Sequence, residues 1–460
     1  MANKQRKGIK RVFSIVLKVL LGLVVFILLF LAVSLAPVDD TPYQQMPYYV
    51  QTKQRLVQLP ASPAAKTGIQ AGWAKANITP PYTTPTGGYG VRRGKHWHVV
   101  SDSIFARAIV LNNGNEPVAV VGLDLLITPP TVAEALKKRL PEVGLRWENV
   151  YIGAIHSHNS VGGWAPGLVG QLIAGGYDEK IVTRITDGVL DAIRKAQANV
   201  APVQIGYGQI DATDHIYNRI GKSGPTRPLD GNVRLLKLQK ASGESALLCS
   251  FAGHATLFDG GNGDYLSRDY PGSLVDRLEK KSASFAVFLA GAVGSTGPES
   301  RGVTDFQEIR NYAGDLAARI ERTVPKIQIK SDSTLAMLTL PLGLREPHPR
   351  VIGNWRVRPW LFYAIYGDYP SELKALRIGN NVLLGTPCDY SGEFVTDFAP
   401  LARQKNVNLF ITSFDGGYIG YVTPDAYYDR PTYETRDMNW FGPYNGAYFE
   451  EMMMELLKKI

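Results

Sequence analysis

The sequence predicts a single large mixed α/β domain behind one N-terminal transmembrane helix. Three observations carry this: an uncharged apolar run near the N-terminus, a strand–helix–strand succession over 118–155, and repeated alternation of apolar strands with amphipathic helices beyond it. With 460 residues, 45% hydrophobic and 10% aromatic, the chain can bury a large core, which excludes disordered and low-complexity classes.

Taken in order, Lys4, Arg6, Lys7, Lys10, Arg11 and Lys18 precede an uncharged stretch over 19–36 that can cross a bilayer when Lys18 snorkels. Asp39 and Asp40 follow it. Positive residues before the span predict a cytoplasmic basic segment over 1–11, a signal-anchor over 12–36, and a body that is periplasmic or extracellular. A secretory leader cleaved near Ser34-Leu35-Ala36 is the alternative, which would release the body in secreted form. The Pro-, Gln- and Thr-rich residues 37–65 read as a stalk, and 66–460 as the catalytic body. The formal net charge is +9, but six of those positive charges precede residue 19. The body is nearly neutral, so no nucleic-acid partner is expected. Cys249 and Cys388 are the two cysteines, too few for a disulfide framework or a CxxC zinc site.

Within the body, 118–128 reads as an apolar strand, 131–140 as a helix and 149–155 as a second strand, together a βαβ unit. An amphipathic helix is predicted over 178–198, strands over 233–238, 246–251 and 284–289, a helix over 309–324, strands over 335–340 and 382–384, and a closing helix over 448–459.

The histidines are sparse, so their placement is informative. In YIGAIHSHNSVGGW, His156 and His158 sit where an apolar strand gives way to a glycine-rich loop, and strand alternation would point both rings to one face with Ser157 opposite. Such a pair suits one metal ligand beside an acid/base, or two hydrogen-bonded rings capping a strand. His96 and His98 follow basic residues in a loop without a clear strand before it and read as hydrogen-bonded structural histidines. His254 repeats the strand-end setting in SFAGHATLF. Asp389 and Glu393 follow the strand in NVLLGTPCDYSGEF; a helix from Pro387 would put both carboxylates on one face. The tyrosine-rich stretch from Phe414 to Gly446 supplies phenols that can ligate a metal or donate to an oxyanion.

Read together, AGWAKANITPP with its GYG, DSIFARAIVL, NVYIGAIHSHNSVGG, the YNR at 217–219, FAGHATLF with SRDYPG, AVGSTGPE, LRIGNNVLLGTPCD, and YIGYVTP followed by TYE resemble, in register, the catalytic domain of the neutral/alkaline, non-lysosomal ceramidase family. The resemblance implies Zn2+ as cofactor, with His156 and His254 as ligands, Asp389 as the acidic ligand where the family has Glu, Glu393 as the fallback, and Tyr421 completing the shell. It implies His158 at the reaction centre, Arg219 and Tyr433 as catalytic donors, and Glu434 as a substrate contact. The family's usual Ser in the glycine-rich loop falls on Gly297 here, with Ser295 beside it, and both are taken as substrate-binding candidates. The implied reaction is hydrolysis of an N-acyl lipid, N-acylsphingosine to fatty acid and sphingoid base. The family's C-terminal β-sandwich is not expected within these residues. A zinc hydrolase of another envelope amide or ester, or an envelope binding protein without catalysis, are the alternatives.

Overall fold

A computed structural model describes residues 2–258, 261–300, 302–303, 305–368 and 371–460, with the side chains of 2–7 and 9 outside the description. Its helices are α1 Ala2–Ser34, α2 Pro47–Gln58, α3 Pro130–Arg139, α4 Gly167–Ala174, α5 Glu179–Gln197, α6 Asp269–Lys281, α7 Asp305–Thr323, α8 Pro359–Tyr366, α9 Ala399–Gln404 and α10 Asn445–Lys459.

The larger of two main sheets runs from edge to edge through Phe285–Ala290, Ser245–Phe251, Asn232–Lys240, Ala201–Asp211, Gln70–Asn77, Phe105–Asn112, Val118–Leu123 and Val150–Ala154. Its two edge pairs are parallel, its middle antiparallel. The parallel strands are buried along their whole length, which is why they read as continuous apolar runs. A second sheet of Leu335–Pro341, Glu372–Ile378, Asn381–Gly385 and Asn408–Thr412 stacks on the first.

Side-chain alternation sorts the core into layers. Val121, Ile152, Leu247 and Phe288 face the helices α3, α5, α6 and α7; Val120, Tyr151, Leu248 and Val287 face Leu376 and Phe410 of the second sheet. The outer face of that sheet, with Leu338 and Leu384, meets Leu456 and Leu457 of α10. Helix, sheet, sheet, helix is the result, a mixed α/β fold as the sequence predicts.

The two edges of the large sheet also approach each other. A Cβ at Gly122 would lie 2.4 Å from Val287 Cγ2, and one at Gly153 3.2 Å from Leu289 Cδ2. Only glycine permits this closeness at Gly122, and it brings the C-terminal ends of Val150–Ala154 and Ser245–Phe251 towards one point.

The stalk expected over 37–65 is not what 43–58 forms. Tyr43, Tyr48 and Leu56 are buried in the core with Tyr448 of α10. The hydroxyls of Tyr43 and Tyr49 each donate to the Glu451 carboxylate at 2.8 Å, and Tyr448 donates to Thr52 Oγ1 at 2.9 Å. Tyr48, Thr52 and Leu56 recur every four residues, the buried stripe of a short helix embedded in otherwise polar sequence.

Candidate metal centre and cavity

His156 and His158 do converge, but not through strand alternation. The strand stops at Ala154, and His156 takes a left-handed backbone at φ 68, unusual for a residue with a Cβ. This turn swings both imidazoles towards His254, which follows Ser245–Phe251. The Nε2 atoms of His156 and His254 are 2.9 Å apart, and His158 Nε2 lies 3.3 and 3.2 Å from them. Ser157 points away and donates to the Ser267 carbonyl at 2.7 Å.

The second nitrogen of His156 fixes its tautomer. His156 Nδ1 meets the Leu126 carbonyl at 2.7 Å, so it carries its proton there and turns a lone pair inward from Nε2, while His254 Nδ1 lies 3.3 Å from both the Val293 carbonyl and Arg219 Nη1. Burial drives the His156 pKa down to about 3. Burial first, then the neighbouring imidazoles and Arg219, depress His158 and His254 as well. Imidazole nitrogens at this spacing either share a proton or hold a cation between them.

The nearby carboxylate is Asp389, whose Oδ1 is 3.4 Å from His156 Nε2. That oxygen is buried without a hydrogen-bond partner, while Oδ2 accepts from Tyr418 at 2.8 Å. Burial pushes the Asp389 carboxyl up to about 7, opposed by Tyr418 and the Arg219 charge. Asp389 is not helical: Asp389–Tyr390 pairs in parallel with Tyr421–Val422, setting Asp389 against Tyr421. Three imidazole nitrogens, an orphaned carboxylate oxygen and a phenol form a donor set that fits Zn2+.

Glu393, the alternative carboxylate, is engaged elsewhere. Its Oε2 accepts from Ser295 at 2.5 Å and from Ser391, and its Oε1 from Asn218 at 2.7 Å. Asn218 in turn caps the backbone of Ile220 and Gly221, and Arg219 N donates to the Ser295 carbonyl at 2.8 Å. Glu393 and Ser295 therefore hold the turn that carries Arg219. Arg219 Nη2 is clamped by Glu434 at 2.8 Å, while Nη1 is 3.3 Å from His254 Nδ1. Gly297 lies in Thr296–Pro298, paired with Ile216–Asn218, where a Cβ would meet the Tyr217 ring at 2.5 Å. Ser295 and Gly297 are thus buried behind the site and do not line its cavity, contrary to the expectation of substrate contact. Glu434 likewise spends its charge on Arg219.

The histidines form one end of a cavity. His156, His158, Tyr421 and Tyr433 supply polar atoms, and Leu126, Trp164, Ile173 and Met438 are among its apolar walls. Tyr433 is 48% exposed and stands edge-on to Tyr421 at 5.6 Å.

Several positioning groups went unseen in the sequence. Phe414 stacks on His156 at 4.2 Å, Tyr418 orients Asp389, and Gly88 at φ 122 lies against the His158 ring. Tyr418 and Phe414 were at least inside the tyrosine-rich stretch, and Gly88 is the first glycine of the GYG motif.

Beside Phe414, Asp415 is fully buried with neither carboxylate oxygen hydrogen-bonded and Lys374 Nζ 3.8 Å away. Burial raises its pKa to about 8, Lys374 opposing and Glu372 adding. The folded protein keeps a proton that the unfolded chain has lost, so this group's stabilising contribution falls as pH rises from about 4 to about 8. The other titrating groups are common to the wild type and to a variant lacking this carboxyl, so their contributions cancel in the comparison of the two. In the metal-free protein, Asp415→Asn is expected to make the fall of the unfolding midpoint between about pH 6.5 and 8 shallower, read by thermal melts.

An α/β scaffold with a buried histidine–carboxylate cluster at the end of an apolar cavity defines an α/β protein with a candidate metal site. Residues 70–286 match the family described as neutral/alkaline non-lysosomal ceramidase, N-terminal. Over those residues the chain is similar to the neutral/alkaline non-lysosomal ceramidase family. It is 26% identical over 357 residues to the neutral ceramidase of Pseudomonas aeruginosa, covering 74% of this chain and 50% of that protein. The chain therefore spans about half the length of this curated relative. The crystal structure of neutral ceramidase from Pseudomonas aeruginosa superposes with a TM-score of 0.72 at 20% identity, over 86% of this chain and 75% of that one. A ceramidase complexed with C2 gives 0.72 at 18% identity, over 86% and 76%. These likenesses establish the fold.

Proposed function

We propose that this chain is a zinc-dependent amidohydrolase that cleaves the amide of an N-acyl lipid such as N-acylsphingosine. One observation carries the reading: the Nε2 atoms of three histidines and the orphaned Asp389 Oδ1 meet beside a largely apolar cavity that His156 and His158 line. His156, His254, Asp389 and Tyr421 would hold Zn2+. When bound, the ion supplies Lewis acidity and lowers the pKa of water from 15.7 to about 7.

His158 differs from the other two histidines in a way that suits proton transfer. Ligating imidazoles are oriented by a carbonyl or carboxylate on the second nitrogen, as in His156 and His254. His158 Nδ1 has no well-formed hydrogen bond, only the Gly88 peptide against it, and its ring is half-buried at the cavity. Neutral at physiological pH, it takes the proton of the attacking water as the oxygen adds to the amide carbon. It returns that proton to the leaving nitrogen as the C–N bond breaks, giving a carboxylic acid and an amine. Arg219, held by Glu434, keeps a fixed positive charge beside the histidines, and Tyr433 presents a hydroxyl at the open side for the substrate's polar head or the developing oxyanion. The apolar walls suit an acyl chain.

The location fits a lipid substrate. The apolar stretch Lys10–Ser34 of α1 is long enough to cross a bilayer and no part of its most apolar window is buried. Anchored there, the body meets its substrate in the membrane.

The test is metal content of the full-length chain in detergent, alongside hydrolysis of a fluorescent N-acylsphingosine with and without chelator. About one zinc per chain with chelator-sensitive cleavage is expected; full activity in a metal-free protein would sink the assignment. A second expectation concerns Gly88. A methyl there would lie 2.7 Å from His158 Nδ1 on a backbone at φ 122, forcing the ring aside. Gly88→Ala should retain zinc while kcat/KM falls about 10- to 100-fold, the size of a misplaced catalytic group.

A further inference from the structure

The end of α1 is fastened to the rim of the cavity. α1 runs without a break into Leu35–Pro37, which pairs antiparallel with Trp355–Val357; Arg350–Ile352 completes this small sheet. Trp360 Nε1, in the first turn of α8, donates to the Val33 carbonyl at 2.9 Å, and Arg358 donates from N to Ser34 O at 2.8 Å and from Nε to Leu35 O at 2.9 Å. The last turn of the apolar helix is held by hydrogen bonds to this hairpin and to α8, with no flexible tether between them.

α8 packs on α4, and Gly167 at φ 79 lets the Ile365 carbonyl come close. Both helices are two-sided. Inward, Val169 and Ile173 of α4 and Tyr366 of α8 line the cavity that ends at His156 and His158. Outward, Leu168 is 62% exposed, Leu172 59% and Trp360 49%, and the adjoining hairpin adds Ile352 at 72% and Trp355 at 50%. Neither GLVGQLIA nor PWLFYAIY contains a charged residue. A helix that is apolar all round is covered by something apolar on every side. Here the uncovered faces lie where the membrane-length helix joins the body, and the rim carries tryptophan, tyrosine and arginine, the residues of a bilayer interface.

We propose that the face formed by α4, α8 and the 350–357 hairpin is seated in the outer leaflet of the bilayer that holds α1, so that the cavity opens into lipid. A bilayer-resident amphiphile then reaches His158 between α4 and α8 with its acyl chain never exposed to water. This rests on reading α1 as an anchor and the site as a lipid amidohydrolase.

The test uses the full-length chain in phosphatidylcholine vesicles. Cys249 and Cys388 are buried, so a cysteine introduced by Leu172→Cys can carry an environment-sensitive fluorophore, with Glu244→Cys on a remote exposed turn as the aqueous control. The Leu172 probe is expected to shift to the blue and be quenched by spin-labelled lipid, while the control is not. The doubly substituted Leu168→Lys, Leu172→Lys protein should lose about tenfold or more of its activity on a long-chain N-acylsphingosine in vesicles, yet keep a short-chain, water-dispersed analogue within about twofold. A Leu172 probe as wet as the control overturns the proposal. So does an equal loss on both substrates, or shielding that appears in detergent and grows with protein concentration, which would assign the face to a second copy. An embedded probe in a protein that cleaves neither substrate keeps the membrane seat and removes the hydrolase reading; a wet probe in an active enzyme does the reverse.

Discussion

Replacing His254 with alanine is expected to abolish both hydrolysis and zinc retention, whereas His158→Ala abolishes hydrolysis alone. The contrast follows from what each ring's second nitrogen does. His254 is held to the Val293 carbonyl with Nε2 turned inward, 2.9 Å from the Nε2 of His156, so its loss removes one of the inward donors. Loss of even an outer partner of a metal ligand lowers affinity about 10- to 100-fold, so loss of the ligand itself should exceed that. His158 lacks such an anchor, and the proton transfer proposed for it is a contribution worth about 10²- to 10⁴-fold in rate. Metal content by atomic emission, paired with single-turnover hydrolysis, checks both variants. Zinc retained in His254→Ala, or lost equally in His158→Ala, would reverse the assigned roles.

Asp389→Asn has the next largest expected effect. The substitution keeps the size of the side chain and leaves an oxygen able to accept from Tyr418, so the fold should hold. It removes a carboxylate that lies beside His156, leaving a more nearly neutral set of donors next to the positive charge of Arg219. Zinc affinity should fall by more than about 100-fold, measured by competition with a chromogenic chelator. Glu393→Gln should leave affinity nearly unchanged, because Glu393 is bonded to Ser295, Ser391 and Asn218. An affinity loss in Glu393→Gln matching that in Asp389→Asn would return the ligand role to the second carboxylate.

How much of this was legible in the sequence depended on burial. The strands Val118–Leu123, Val150–Ala154, Ser245–Phe251 and Phe285–Ala290 are buried on both faces and show as apolar runs. Gln70–Asn77 and Ala201–Asp211 mix buried with exposed positions and carry glycines, which hid them. α6 begins Asp269-Tyr270-Pro271-Gly272, a start that resembles a turn although proline is well tolerated in a first helical turn. At the site, the histidines were visible as residues at strand ends. Their meeting was not, because it depends on the approach of two sheet edges and on the backbone turn at His156. The choice between Asp389 and Glu393 depended on a pairing with Tyr421–Val422 that local periodicity does not report.

The clasp between α2 and α10 bears on how the protein is made. Tyr43 and its Glu451 partner are 408 residues apart, so a chain synthesised from its N-terminus contains α2 long before the helix that covers it exists. During that interval Tyr48 and Leu56 are an open, sticky stripe. Completion of the fold is thereby deferred to the arrival of α10, and a ribosome stalled short of residue 445 would leave a nascent chain with His156, His158 and His254 already made but its N-terminal segment still undocked.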